Sequence, residues 1–258
     1  MIDYEKHFTE IENIGFTTIK QIISPVEIAE LKHSMEIAIN EDNKKHEGKP
    51  NKIHDYVVDL PNYGMVFVNF LNNEIMNNVF SHFLGDTWTT HSYVSAILRP
   101  SKTDFYSQKM HVDEPRIIPN YHLGLLMALA LDDFTEENGS TWNLPRSFNM
   151  KDLPSEDYFN ENAVQSVRKA GDALFWRPRV AHRAGINRTD KTRNMISFHA
   201  TRSFVKQRLD YPRIMKPELI SQASDRAKRI LGFNVRSPSS MDEYYVPTQQ
   251  RMYQPNQG

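Results

Sequence analysis

Three side chains in this sequence have the chemistry to hold a metal together. His111 and Asp113 stand two apart in Gln108-Lys109-Met110-His111-Val112-Asp113, and His182 lies in Arg179-Val180-Ala181-His182-Arg183-Ala184-Gly185. Residues i and i+2 of a strand point to the same face, so an imidazole and a carboxylate at 111 and 113 would share one wall of a sheet. A second imidazole from 182 would complete two His and one carboxylate around an Fe(II), with coordination positions left open. Such a set admits a chelating co-substrate and O2, which a closed four-ligand site excludes. The chain has no Cys, so thiolate ligands and disulfides are excluded. The joint arrangement, rather than any one of the 10 His, carries this reading.

Arg193 follows His182 at a useful distance. Residues 180–186 and 193–203 read as strands, with 187–191 as the turn between them. A hairpin there would return Arg193 to the side of the metal-bearing strand. Its guanidinium could then receive a carboxylate through two parallel charge-assisted hydrogen bonds.

These residues need a scaffold, and the rest of the chain supplies one. Residues 15–23 are β-rich and lead into Ser24-Pro25-Val26-Glu27, a capping box with Pro in the first turn. Ile28, Leu31, Met35 and Ile39 recur at helical spacing, predicting a helix to about residue 40, with a polar loop over 40–52. A second helix is predicted over 72–84. Strands follow at 93–99, at 104–113 with His111 and Asp113 on it, and at 121–131. Asn138-Gly139 tolerates positive φ and predicts a hairpin, with 140–145 as the returning strand. Further strands are expected at 164–168 and 172–176. A helix over 217–231 ends at Gly232, and a polar, Pro-rich tail carrying Tyr244, Tyr245 and Tyr253 begins near 234.

The predicted organisation is one domain, mainly β with flanking helices: helical support over 1–90, a β core over about 91–205, and a C-terminal helix and tail over 206–258. Of 258 residues, 39% are hydrophobic and 11% aromatic, enough for a sizeable core. A net charge of -1 gives no field for nucleic acid or an acidic membrane. No apolar run reaches about eighteen residues, and the first residues lack the basic-then-apolar order of a signal peptide. The expectation is a soluble cytoplasmic protein with a small-molecule substrate, no nucleic-acid or membrane partner, and an open oligomeric state.

Several short motifs, in order, resemble the phytanoyl-CoA dioxygenase family of Fe(II)/2-oxoglutarate-dependent oxygenases. They are His111-Val112-Asp113, the stretch from Leu131 to Thr141 ending Asn138-Gly139-Ser140-Thr141, and Pro145-Arg146-Ser147. Gly171-Asp172-Ala173-Leu174-Phe175-Trp176, the stretch from His182 to Asn187, and Arg193 complete the set. The resemblance covers about residues 95–203. It implies a double-stranded β-helix, a distorted jelly roll of cupin-like shape with the metal at its mouth. It implies that His111, Asp113 and His182 ligate Fe(II), that Arg193 pairs with the distal carboxylate of 2-oxoglutarate, and that Thr141 faces this co-substrate. Asn138, Gly139, Gly171 and Asp172 are read as turn and strand-entry residues.

Two positions depart from the family. Where it often reads Pro-Gly-Ser-His, this chain has Pro145-Arg146-Ser147-Phe148, and Ala184 stands where many members carry Ser. The carboxylate of Asp113 is absent from the halogenating relatives, so its presence implies hydroxylation. In that reaction O2 and 2-oxoglutarate yield succinate and CO2 while a substrate C–H bond becomes an alcohol. Tyr106, Arg116, Tyr121, Trp142 and Arg179 are substrate-side candidates, a mixture suited to a small anionic or amphipathic molecule. His199 shares strand parity with Arg193 and is expected inside the same core. Two other classes stay open: a non-catalytic jelly-roll binding module, and a cupin-type metal-dependent isomerase or hydrolase that does not use 2-oxoglutarate.

Overall fold

The computed structural model describes residues 2–49, 55–100 and 106–251. The chain opens on a helix the sequence reading missed, α1 (Tyr4–Asn13), whose N-cap Asp3 accepts a hydrogen bond from the Lys6 amide at 3.1 Å. Strand β1 (Phe16–Ile19) follows, and then the capping box forms as expected. The Ser24 hydroxyl accepts from the Glu27 amide at 3.3 Å, and the Glu27 carboxylate accepts from the Ser24 amide at 2.8 Å. Helix α2 (Pro25–Lys45) continues past residue 40, so the first part of the expected loop is helical. Burial of Asp42, which accepts from the Tyr63 hydroxyl at 2.7 Å, holds that extension in place. Residues 50–52 of the expected loop lie outside the described residues. Two further helices, α3 (Met65–Phe70) and α4 (Glu74–Leu84), complete the support layer.

Two antiparallel sheets face one another. The larger has the order β1-β6-β3-β8-β2, with β2 at Thr89–Leu98, β3 at Gly124–Ala130, β6 at Ala173–Trp176 and β8 at Arg193–Thr201. The smaller has the order β5-β4-β7, with β4 at Thr141–Asn143, β5 at Val164–Gln165 and β7 at His182–Ala184. Alternate residues of the larger sheet separate two environments. Met127, Phe175, Ile196 and Phe198 pack with the helices in the main core. Leu126, Leu174 and Trp176 turn the other way and pack with Phe148 and Val180. This is the double-stranded β-helix, with the helical layer on its outer face.

Four expectations about connectivity are corrected. Residues 106–113 form a 3-10 turn (Tyr106–Gln108) and then a single bridge from His111 to His182, rather than a strand. Asn138-Gly139 does not close a hairpin between β3 and β4. β3 pairs with β6 and β8, β4 pairs with β5 and β7, and the turn carries the chain from one sheet to the other. β7 and β8 likewise belong to different sheets, so residues 185–192 cross between sheets instead of turning back. The side chain of Asn187 braces that crossing, donating to the carbonyls of Leu98 at 3.0 Å and Lys191 at 2.8 Å. The predicted helix over 217–231 is broken in two. After the short helices α5 (Glu156–Asn162) and α6 (Tyr211–Ile214) come α7 (Pro217–Gln222) and α8 (Asp225–Ile230), separated by an extended Ala223 and the N-cap Ser224. Among the described residues no helix is long and apolar enough to cross a membrane.

Candidate metal and co-substrate site

His111 and His182 exchange both main-chain hydrogen bonds, each at 3.0 Å, which sets them directly opposite one another. Their ring centroids lie 4.4 Å apart. Asp113, two residues on, is held by its amide bond to the Pro178 carbonyl at 2.9 Å. One ligand atom from each of His111, Asp113 and His182 lies within 4.8 Å of the others, a spacing one metal ion can span. The three predicted residues therefore do converge, though 111 and 113 do so from an irregular segment.

Each imidazole is oriented by its own backbone. His111 Nδ1 lies 2.8 Å from the Lys109 carbonyl, and His182 Nδ1 lies 2.9 Å from that of Val180. A carbonyl only accepts, so Nδ1 carries the proton and Nε2 keeps its lone pair for a ligand bond. Trp176 Nε1 donates to Asp113 Oδ2 at 3.2 Å, and His182 Nε2 lies 3.5 Å from the same oxygen. Burial pushes the His182 pKa down, with the His111 ring adding to the effect and Asp113 opposing it. The ring is thus neutral near pH 7, the form a metal requires.

Asn143 was not singled out from sequence. It sits opposite His182 in the register of β4 and β7, fully buried, with Nδ2 donating to Ser166 Oγ at 2.8 Å and Oδ1 without a partner. Thr141, opposite Ala184, shares its face. Only the Thr-x-Asn alternation carried a signal for Asn143, and it was too short to read.

Arg193 is buried and donates from Nη1 to the Gly139 carbonyl, with its guanidinium carbon 4.0 Å from the Phe134 centroid. Nε is buried without a partner, and Nη2 donates to no described protein group. Burial pushes its pKa down to about 9, against the attraction of Asp132. The crossing turn makes this contact feasible only with glycine. Gly139 has φ +83°, and a Cβ there would stand 2.5 Å from the Gly185 carbonyl oxygen.

A cavity of about 600 Å³ is lined by Glu114, the residue after Asp113, and by Arg116, Tyr121, Phe148, Arg177 and Arg179 among others; none of His111, Asp113, His182 and Arg193 lines it. Of the substrate-side candidates, Arg116, Tyr121 and Arg179 reach it. Arg179, however, is committed to the carbonyls of Pro115 (2.6 Å), Met150 and Lys151 (3.3 Å), so it straps loops together. Trp142 packs away from the cavity beside Leu144, Phe159 and Ala181. The side chain of Tyr106 lies outside the described residues. Glu114, whose carboxyl burial pushes up, and Arg177, stacked 3.9 Å over Phe148, were missed because nothing in their sequence setting marks them. His199 does face the interior, and burial drives its pKa to about 4, with Nε2 unpartnered.

The two-sheet fold and the open His-Asp-His cluster define a jelly-roll protein of the non-haem metal type. The phytanoyl-CoA dioxygenase (PhyH) family model matches residues 11–195, and the chain belongs to that family. An uncharacterized protein of Mycobacterium tuberculosis is 30% identical over 200 residues, covering 76% of this chain and 73% of its own. Dioxygenase ALT11 of Alternaria alternata is 24% identical over 261 residues, covering 90% and 82%. Among solved structures, the epimerase SnoN in complex with Fe3+, alpha ketoglutarate and nogalamycin RO superposes with a TM-score of 0.60. At 18% identity over 76% of this chain and 82% of that one, SnoN shares the fold. Iron and 2-oxoglutarate are cofactors of this family.

Proposed function

We propose that the chain is an Fe(II)- and 2-oxoglutarate-dependent dioxygenase that hydroxylates a small molecule. The observation that carries this is the pre-oriented donor set: His111 and His182 with Nδ1 spent on backbone carbonyls, and Asp113 held by Trp176. The donors are two imidazoles and one carboxylate, the set suited to non-haem iron with open positions. Arg193 fits the distal carboxylate of 2-oxoglutarate, because its buried Nε lacks a partner and Nη2 is uncommitted. Thr141, on the smaller sheet two residues past Gly139, would flank that carboxylate.

When bound, iron and the 2-oxoacid supply the oxidising chemistry, with O2 consumed and succinate and CO2 released. The protein's own part is orientation and exclusion of water. His111 and His182 each spend Nδ1 on a backbone carbonyl, which turns Nε2 toward the metal position. Trp176 fixes one carboxylate oxygen of Asp113 and, with Leu126 and Phe148, walls the interior with apolar surface. Substrate would enter through the cavity that Glu114 lines, where Arg116 offers a cation and Tyr121, stacked against Arg202, an aromatic edge. Asp113 fills the third ligand position, which favours hydroxylation over halogen transfer.

The test is an anaerobic titration of the protein with Fe(II) and 2-oxoglutarate. The expected result is a weak visible metal-to-ligand charge-transfer band, followed by succinate on admission of O2. No band, and no succinate above a His111→Ala control, would sink the reading.

A further inference from the structure

Arg168 and Arg193 are 3% and 4% exposed, and both guanidiniums lie over the one ring of Phe134, at 3.6 and 4.0 Å from its centroid. The two cations are therefore no further apart than those two distances combined. Arg168 is pinned there because it and Phe134 form an antiparallel bridge, exchanging main-chain bonds of 2.7 and 3.0 Å. The one hydrogen bond of its side chain runs from Nη1 to the Ser166 carbonyl at 3.0 Å, while Nε and Nη2 are buried with no partner. Arg193 Nε is orphaned in the same way.

The nearby carboxylates of Asp132 and Asp172 attract these cations but accept their hydrogen bonds from other groups. Asp132 accepts from Lys32 and from the amide (2.9 Å) and side chain (2.7 Å) of Asn194. Asp172 accepts from the amides of Gln21 and Lys169, each at 2.9 Å. Two desolvated like charges this close are costly unless an anion neutralises them, and a shared aromatic face recovers only part of that cost. Arginine does not escape by shedding its proton near neutral pH. Three buried N–H-bearing atoms without acceptors mark the same deficit.

We propose that Arg168 is a second cation of the co-substrate seat, a positioning residue acting on the distal carboxylate through its charge and the shared Phe134 ring. Arg193 makes the direct hydrogen bonds. This rests on the dioxygenase reading, which names the anion. Two consequences separate it from a structural role. Arg168 favours a 2-oxo diacid over a 2-oxo monoacid of the same length. It also destabilises the protein without its anion, so replacing it leaves the ligand-free fold at least as stable.

The experiment compares wild type, R168M, R168K and R193M, each loaded anaerobically with Mn(II). Each is titrated calorimetrically with 2-oxoglutarate and with 2-oxopentanoate, which lacks the distal carboxylate, and melted with and without ligand. R168M is expected to bind 2-oxoglutarate roughly tenfold more weakly and 2-oxopentanoate within about twofold of wild type. It should melt no lower than wild type without ligand, and R168K should recover most of the affinity. Wild-type binding by R168M, or weakening of both acids together with a lower melting temperature, would overturn the proposal. Should R168M fail to fold, R168K and Phe134→Leu decide: the lysine near wild type and the leucine selectively weaker for the diacid support it, and any other pattern overturns it. If R193M alone loses 2-oxoglutarate, this proposal falls and the dioxygenase reading stands. If wild type binds none, both fall.

Discussion

Trp176 donates its indole N–H to Asp113 at 3.2 Å while its ring stands 5.5 Å from that of His182. One side chain of the larger sheet thus orients a carboxylate on an irregular segment and packs beside an imidazole of the smaller sheet. Replacing a group that orients a ligand from behind typically costs about 10–100-fold in metal affinity. Trp176→Phe keeps the packing and removes the bond. It is expected to weaken Mn(II) binding about tenfold in a calorimetric titration, with the melting temperature little changed. Unaltered metal affinity would count against that role.

Arg193→Ala is expected to weaken 2-oxoglutarate roughly a hundredfold while Mn(II) affinity in its absence stays near wild type. The separation follows from position, since Arg193 bonds the Gly139 carbonyl and stacks on Phe134 rather than touching the His-Asp-His cluster. Loss of metal and 2-oxoglutarate together would make Arg193 a structural residue.

Arg146 stands where the family often has glycine, yet its φ is +62°, so the backbone has kept the left-handed conformation without the residue best suited to it. Its side chain is exposed and its amide still donates to the Ile14 carbonyl at 2.8 Å. Arg146→Gly is expected to stabilise the fold by about 0.5–1 kcal/mol in urea denaturation, strain relief exceeding the added chain entropy. A loss of stability would show the turn to be unstrained.

Asp59 links stability to pH. Burial raises its pKa from 3.8 to about 6, against the opposing bond from Asn62. Oδ2 accepts that bond at 2.6 Å and Oδ1 is buried without a partner. Between the two pKa values the folded chain holds a proton that the unfolded chain has released. Stability therefore falls as pH rises through that window, by up to about 1.4 kcal/mol per pH unit, and levels off above it. Urea midpoints from about pH 4 to pH 7 should show the slope in wild type and not in Asp59→Asn. An equal slope in both would assign it to another group.

His111, Asp113, His182 and Arg193 were legible as candidates because their chemistry is rare in combination; the fold gathers the first three, with His182 buried and Asp113 exposed, and buries Arg193. How the chain brings them together was not. His111 and Asp113 meet His182 through one bridge on a segment with no strand periodicity, a long-range pairing that local pattern does not encode. Asn138-Gly139 does form a tight turn, with Asn138 Nδ2 on the Asp133 carbonyl at 2.6 Å and Gly139 at φ +83°. Turn chemistry specifies φ, however, and not which sheet the chain joins next. β4 and β7 span three residues each, too short for alternation to register. Arg168 entered only as the last residue of the strand expected over 164–168, since only the fold shows that it is buried against Phe134.

The segment carrying His111 and Asp113 is fastened to the barrel mouth by few main-chain bonds, to His182 and Pro178. A metal ligated by His111, Asp113 and His182 would act as a clasp across that seam, joining a loop to a strand of the smaller sheet. Amide hydrogen exchange at positions 111, 113 and 182 would then slow on loading while the buried strand β3 exchanges as before. Order at the mouth becomes a readout of occupancy, independent of turnover.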